Sequence, residues 1–192
     1  GQALAVSPPG GVLLIVGDSL SAGYGISPDK SWVSLLTSRV TEMGYPIVVI
    51  NKSVTGSTTQ NGLDRLPKWL EEVHPNYVLL ALGSNDGLRG IPAFLMKKNI
   101  EKMIDLCQQE GAKIILVGFM IPPNYGPEYS TEFKKVFPDL AQKYDYPFVP
   151  FLLEGVASEP KYVLGDGLHP NEAAQPIILE NVWKILAPIF KP

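Results

Sequence analysis

Cys107 is the lone cysteine in a chain of 192 residues, so no intrachain disulfide can form. It lies in "MIDLCQQEG", on what reads as a helix face, and its expected place is a buried structural thiol. One thiol does not identify a redox compartment. Histidine is almost as scarce, with His74 and His169 the only two. Clustered His and Cys ligands are therefore missing, and neither a metal nor any other cofactor is expected. No apolar run approaches the roughly 20 residues that span a bilayer, so stable membrane insertion is not expected. Charge is thin as well: 18% of residues are charged and the net charge is −3. No basic stripe runs along the chain, which removes the electrostatic reason to expect nucleic acid or an anionic membrane as partner. There is no G-x-S-x-G elbow, which argues against an α/β-hydrolase. Neither G-x-x-x-x-G-K-[ST] nor G-x-G-x-x-G follows the first apolar run, which leaves nucleotide phosphate binding unsupported. The chain begins with Gly1 rather than methionine. A removed export segment fits that, so the expected location is periplasmic or secreted, with the cytoplasm as the alternative.

What is present is a globular composition, 45% hydrophobic, of a length that suits one domain over residues 1–192. Five short apolar, β-branched runs stand out: "VLLIV" from Val12, "IVVI" from Ile47, "YVLLAL" from Tyr77, "KIILVGF" from Lys113 and "PFVPFL" from Pro147. They recur at intervals of roughly 30 to 36 residues, the length of a strand plus a crossover helix. Their near-continuous apolarity suits parallel strands covered on both faces. Helical patterns fill the gaps. "SWVSLLTSRVTEMG" ends at a glycine, and "GLDRLPKWLEEV" carries Pro67 as an expected kink. "AFLMKKNIEKMIDLCQQEG" offers Leu95, Ile100, Met103, Ile104 and Cys107 as an apolar face. "STEFKKVFPDLAQKY" and "EAAQPIILENVWKILAPIF" follow, the last with a stripe of Ile178, Val182, Ile185 and Ile189. The alternation predicts a three-layer α/β/α fold around a five-stranded parallel sheet, in a flavodoxin-like order.

In such sheets the site lies outside the carboxyl ends of the strands. Small and polar residues collect there: Gly17-Asp18-Ser19, "NKSVTGSTTQNG", "GSNDG", "MIPPNYGPEY" and "GDGLHPN". His74, in "EEVHPN", falls on the opposite edge, where a helix C-terminus explains it. His169 falls on the loop edge, three residues after Asp166. On one tight turn that spacing lets the carboxylate reach Nδ1 and leaves Nε2 as acceptor. Taken alone, Asp-x-x-His-Pro also reads as an ordinary helix-entry turn, with Asn171 as cap. Ser19 at the end of the first strand shifts that reading, because a serine hydroxyl needs a base and His169 is the only one in a credible place. A helix cap remains the plain alternative for Ser19. Three groups could bind a developing oxyanion: the Ser19 N–H, the Gly56 N–H and the side-chain amide of Asn85, although Gly56 and Asn85 also read as turn formers. Tyr24, Ile121, Pro122, Tyr125 and Leu168 are the candidate pocket lining.

"GDSLS", the glycine of "TGSTT", "GSND" and "DGLHP" resemble the four sequence blocks of the GDSL, or SGNH, hydrolases. "GDSLSAGYGI", "QNGLDRLP", "GSNDGLRGIP", "PPNYGPEYS" and "DGLHPN" extend the likeness over nearly the whole chain, toward the family's bacterial thioesterase and arylesterase branch. The resemblance implies Ser19 as nucleophile, His169 as general base, Asp166 as its orienting carboxylate, and an oxyanion hole of Ser19, Gly56 and Asn85. It implies a monomeric serine esterase acting on small ester substrates of short to medium chain length, aryl esters among them, with thioesters and lysophospholipids in view. A carbohydrate O-acetylesterase on the same scaffold and a non-catalytic binding protein are the alternatives. One position departs from the branch: Ser57 stands where an aspartate is expected.

Overall fold

A computed structural model describes residues 8–192. Five strands form one parallel sheet: β1 Val12–Gly17, β2 Val48–Asn51, β3 Tyr77–Ala81, β4 Lys113–Val117 and β5 Phe148–Val149, in the order β2-β1-β3-β4-β5. Val12 stands opposite Val48 and Leu13 opposite Tyr77, which places β1 between β2 and β3. All six residues of β1 are buried, as a strand covered on both faces requires. The helices are α1 Ser19–Ala22, α2 Trp32–Glu42, α3 Thr59–Val73, α4 Ser84–Leu88, α5 Ala93–Gln109, α6 Pro127–Tyr144 and α7 Gln175–Phe190. The chain steps from β1 out to β2 and then back past β1 to β3. Right-handed crossovers put α2 on one face and α3 on the other when the direction reverses. Accordingly α2 packs on α7, whereas α3 packs on α5 and α5 on α6. Among the described residues, no helix is long and apolar enough to cross a membrane.

The sheet and its order match the sequence reading, and two helical details do not. Leu95 is exposed, and Met96 takes its place in the core beside Ile100 and Met103. Leu95 lies five residues before Ile100, about 140° around the helix, so it cannot share that face. In α7 the buried positions are Gln175, Ile178, Leu179, Val182, Leu186 and Phe190, with Ile185 and Ile189 half-buried. That helix is apolar nearly all round, and its periodicity does not single out one stripe. α3 runs from Thr59 to Val73 with Pro67 inside it, on its exposed side. Cys107 is fully buried, and burial pushes its thiol up to about 12, leaving it un-ionised at neutral pH.

Two positions at the strand ends shape the turns into the helices that follow. Gly83 has φ +134, and a Cβ there would come within 2.8 Å of the Phe137 ring. It lets β3 turn directly into α4. At the end of β1 the turn depends on Asp18. Its backbone is extended, and its Oδ1 accepts the N–H of Leu20 at 3.0 Å, so Asp18 caps α1 and Ser19 becomes the first residue of that helix. The alternative of Ser19 as cap is thereby replaced. Asp18 is 1% exposed and its Oδ2 has no hydrogen-bond partner among the described residues. Burial raises its carboxyl from 3.8 to about 6, against the pull of the Leu20 N–H and the His169 side chain.

Between about pH 4 and 6 the native chain keeps a proton on Asp18 that the unfolded chain has lost, so stability falls as pH rises through that window. Asp18→Asn keeps a capping oxygen and cannot ionise. Its stability relative to the parent should therefore rise between pH 4 and pH 7, by up to about 3 kcal/mol. Urea unfolding of both proteins at the two pH values measures this; a pH-independent difference contradicts the assignment.

Candidate active site

The capped turn after β1 holds Ser19 with 9% of its surface exposed. Its Oγ lies 3.1 Å from His169 Nε2, across 150 residues of chain. His169 sits in the loop before α7, and that loop is bonded to itself. The Leu164 N–H donates to the His169 carbonyl at 2.8 Å, and Val163 and Pro170 form an antiparallel bridge. Asn171 caps the following 3₁₀ turn through the Ala174 N–H, as the sequence suggested, and also donates to the Lys161 carbonyl. Within the turn, Asp166 uses both oxygens. Oδ1 accepts the N–H groups of Leu168 and His169 at 2.9 Å each, and Oδ2 meets His169 Nδ1 at 2.5 Å. The His169 N–H above all, then that of Leu168 and the imidazole, hold the Asp166 carboxyl down at about 2. Asp166 is thus a carboxylate throughout the neutral range. A carboxylate can only accept, so Nδ1 carries the hydrogen and Nε2 is left to accept from the Ser19 hydroxyl.

The neighbouring strand ends supply donors. The Ser19 N–H opens α1, where helical N–H groups lack intrahelical partners. The Val54 N–H donates to the Gly17 carbonyl at 3.0 Å and ties the loop after β2 to the end of β1. On that loop Gly56 has φ +83, and a Cβ there would meet nothing within 4 Å. Backbone conformation, not crowding, selects glycine, and the space before it is open. Asn85, in the first turn of α4, donates from Nδ2 to the Ser57 carbonyl at 2.9 Å. The amide has a second hydrogen to offer. Ser19, His169 and Asp166 are therefore one hydrogen-bonded line, and Gly56 and Asn85 are brought together through Ser57.

The pocket candidates divide. The Tyr24 ring lies 4.4 Å from the His169 ring, centroid to centroid, and Leu168 is the exposed neighbour of His169. Ile121 abuts Gly87, and the Tyr125 hydroxyl donates to the Leu88 carbonyl at 2.7 Å, so both brace α4. Pro122 is exposed and leads into a 3₁₀ turn. His74 caps the C-terminus of α3 on the opposite edge of the sheet. Sequence reasoning passed over several polar groups. The Arg65 guanidinium donates to the Ser57 hydroxyl at 2.9 Å, and Arg89 reaches the Gly56 carbonyl. Asp86, in the "GSNDG" that was read as a turn, is buried and bonded to Thr59. Its position beside Asn85 was the available signal.

Known proteins resemble this chain in sequence and fold. Residues 15–176 match the model of the GDSL-like lipase/acylhydrolase family. An arylesterase of Vibrio mimicus is 46% identical over 170 residues, covering 88% of this chain and 85% of its own. The thioesterase 1/protease 1/lysophospholipase L1 of Escherichia coli K12 is 38% identical, over 92% of this chain and 84% of its own. The psychrotrophic esterase EstA from a Pseudoalteromonas species, crystallised inhibited by monoethylphosphonate, superposes with a TM-score of 0.89 at 35% identity, covering 94% of this chain and 99% of that one. With the match spanning most of the chain, and the sheet order and serine line in place, the chain belongs to the GDSL-like lipase/acylhydrolase family, the SGNH hydrolases, and is an enzyme that hydrolyses esters.

Proposed function

We propose that the chain hydrolyses short- to medium-chain carboxylic esters, aryl esters foremost, through an acyl-enzyme on Ser19, and that it also accepts thioesters and lysophospholipids. The observation that carries this is the continuous line from Ser19 Oγ through His169 to the Asp166 carboxylate. In the first step Ser19 Oγ attacks the acyl carbonyl as its proton passes to His169 Nε2. Asp166 stabilises the imidazolium and keeps its orientation. The tetrahedral oxyanion is received by the Ser19 and Gly56 N–H groups and by the second Nδ2 hydrogen of Asn85. His169 then protonates the departing alcohol or thiol. In the second step water attacks the acyl-enzyme with His169 again as base, and the acid and free Ser19 return. Inhibition of the Pseudoalteromonas esterase by a phosphonate, a tetrahedral phosphorus compound, supports this reading.

Substrate range follows from the rim. Tyr24 and Leu168 are exposed beside His169, and they offer a short apolar surface rather than a deep channel. Such a rim suits small or medium acyl groups and tolerates varied leaving groups. The names of the Vibrio mimicus and Escherichia coli relatives support aryl esters, thioesters and lysophospholipids as leaving-group classes.

Ser19→Ala should lose nearly all turnover and keep its circular dichroism and thermal transition; an active mutant excludes Ser19 as nucleophile. Asn85→Ala should lower kcat by roughly 10²–10³, about 3–4 kcal/mol in transition-state stabilisation. Initial rates on p-nitrophenyl esters of rising acyl length, an acyl-CoA series, lysophosphatidylcholine and acetylated xylan assign the range. The rates should peak at short to medium chains. A marked preference for the xylan would replace this reading with sugar deacetylation.

A further inference from the structure

The two loops proposed to form the oxyanion hole come from distant parts of the chain, Gly56 after β2 and Asn85 after β3. Hydrogen bonds fix one against the other. One bond is direct, from Asn85 Nδ2 to the Ser57 carbonyl. Beneath it lies a denser contact. Asp86, the residue after Asn85, is 1% exposed. Its Oδ1 accepts the Thr59 N–H at 2.8 Å and its Oδ2 accepts the Thr59 hydroxyl at 2.6 Å. Thr59 is fully buried, opens α3 and follows Gly56 by three residues. Asn99 of α5 donates to Thr59 Oγ1 at 3.1 Å, so the threonine hydroxyl accepts from Asn99 and must send its own hydrogen to Asp86.

The chemistry of this clamp is specific. A carboxylate accepts two hydrogen bonds at once from a single residue, and both are charge-assisted, hence short and directional. A carboxamide in its place would turn one oxygen into a donor and leave either the Thr59 N–H or its hydroxyl hydrogen without a partner. The Asp86 carbonyl also accepts the Ile91 N–H at 3.0 Å, which ties down the exit of α4.

We infer that Asp86 is the positioning residue of the oxyanion hole: by gripping Thr59 at both oxygens, it holds the Asn85 amide and the Gly56 N–H at one fixed separation. This rests on the Ser19 acyl-transfer reading. Asp86 touches no substrate and acts through Asn85 and Gly56. A hole donor out of place by about 1 Å loses the transition state but not the ground-state ester, so a loosened clamp should lower kcat and leave KM nearly unchanged.

The test compares Asp86→Asn, Thr59→Val and Thr59→Ser, alone and in the Asn85→Ala background, with p-nitrophenyl butyrate as substrate. Asp86→Asn and Thr59→Val should each lose about 10- to 100-fold in kcat, with KM within about threefold of the parent. Thr59→Ser keeps the hydroxyl and should stay within about threefold in kcat. Once Asn85 is gone, Asp86→Asn should cost no more than about threefold further, because groups that act as a unit are not additive. Full kcat in Asp86→Asn, or losses that multiply in the Asn85→Ala background, overturn the inference. If Asp86→Asn does not fold, the contrast between Thr59→Val and Thr59→Ser decides in its stead. A fully active Asn85→Ala overturns both the hole and the clamp; an impaired Asn85→Ala with multiplying losses overturns the clamp alone.

Discussion

Everything at this site follows from one constraint of parallel sheets: all strands end on the same edge. Five parallel strands deliver five loops to one side, and the reversal of strand order at β1 leaves a crevice where neighbouring crossovers diverge. Ser19 stands at that reversal. β2 lies to one side of β1 and β3 to the other, and the loops that follow them meet through the bond from Asn85 to the Ser57 carbonyl. The histidine loop arrives last, after β5. The site is therefore assembled from distant segments, and its accuracy depends on the hydrogen bonds that join loop to loop.

Three aspartates of this edge show how environment divides one functional group into different roles. Asp166 faces solvent, accepts two backbone N–H groups and an imidazole, and stays ionised well into acid. Asp86 is buried, and burial raises its carboxyl while the two Thr59 donors oppose the rise. Asp18 is buried with one oxygen unpartnered among the described residues, and burial pushes its carboxyl up to about 6. The first orients a base, the second joins two loops and the third shapes the turn that presents the serine. Only the first of them touches the His169 imidazole.

Much of this was legible in the sequence because it was written locally. Apolar runs at crossover spacing gave the sheet, and the three-residue interval from Asp166 to His169 gave their contact. Ser19 and His169 could be paired by elimination, since the chain has so few bases. What stayed hidden involves partners remote in sequence. Nothing in "GSNDG" announces that Asp86 bonds Thr59, 27 residues earlier, and nothing beside Ser57 points to Arg65 as its donor. The capping role of Asp18 was missed for a different reason: α1 is a single turn, too short to leave a periodic pattern. Leu95 misled because an apolar residue near a helix start need not lie on the stripe that follows.

The loop from Val163 to Pro170 has one more implication. Its bridge, its turn bonds and the two-handed grip of Asp166 all close within a few residues, so acid and base form a unit whose internal geometry does not depend on the sheet. This unit meets the serine turn through the 3.1 Å contact between Ser19 Oγ and Nε2 and through the Tyr24 ring, which lies against His169. Motion of the loop would thus carry the imidazole and its carboxylate together, and the join between hinged piece and anchored piece is where alignment would be lost first. In mechanical terms the site is a latch: the serine is the fixed strike plate, and the histidine turn is the bolt.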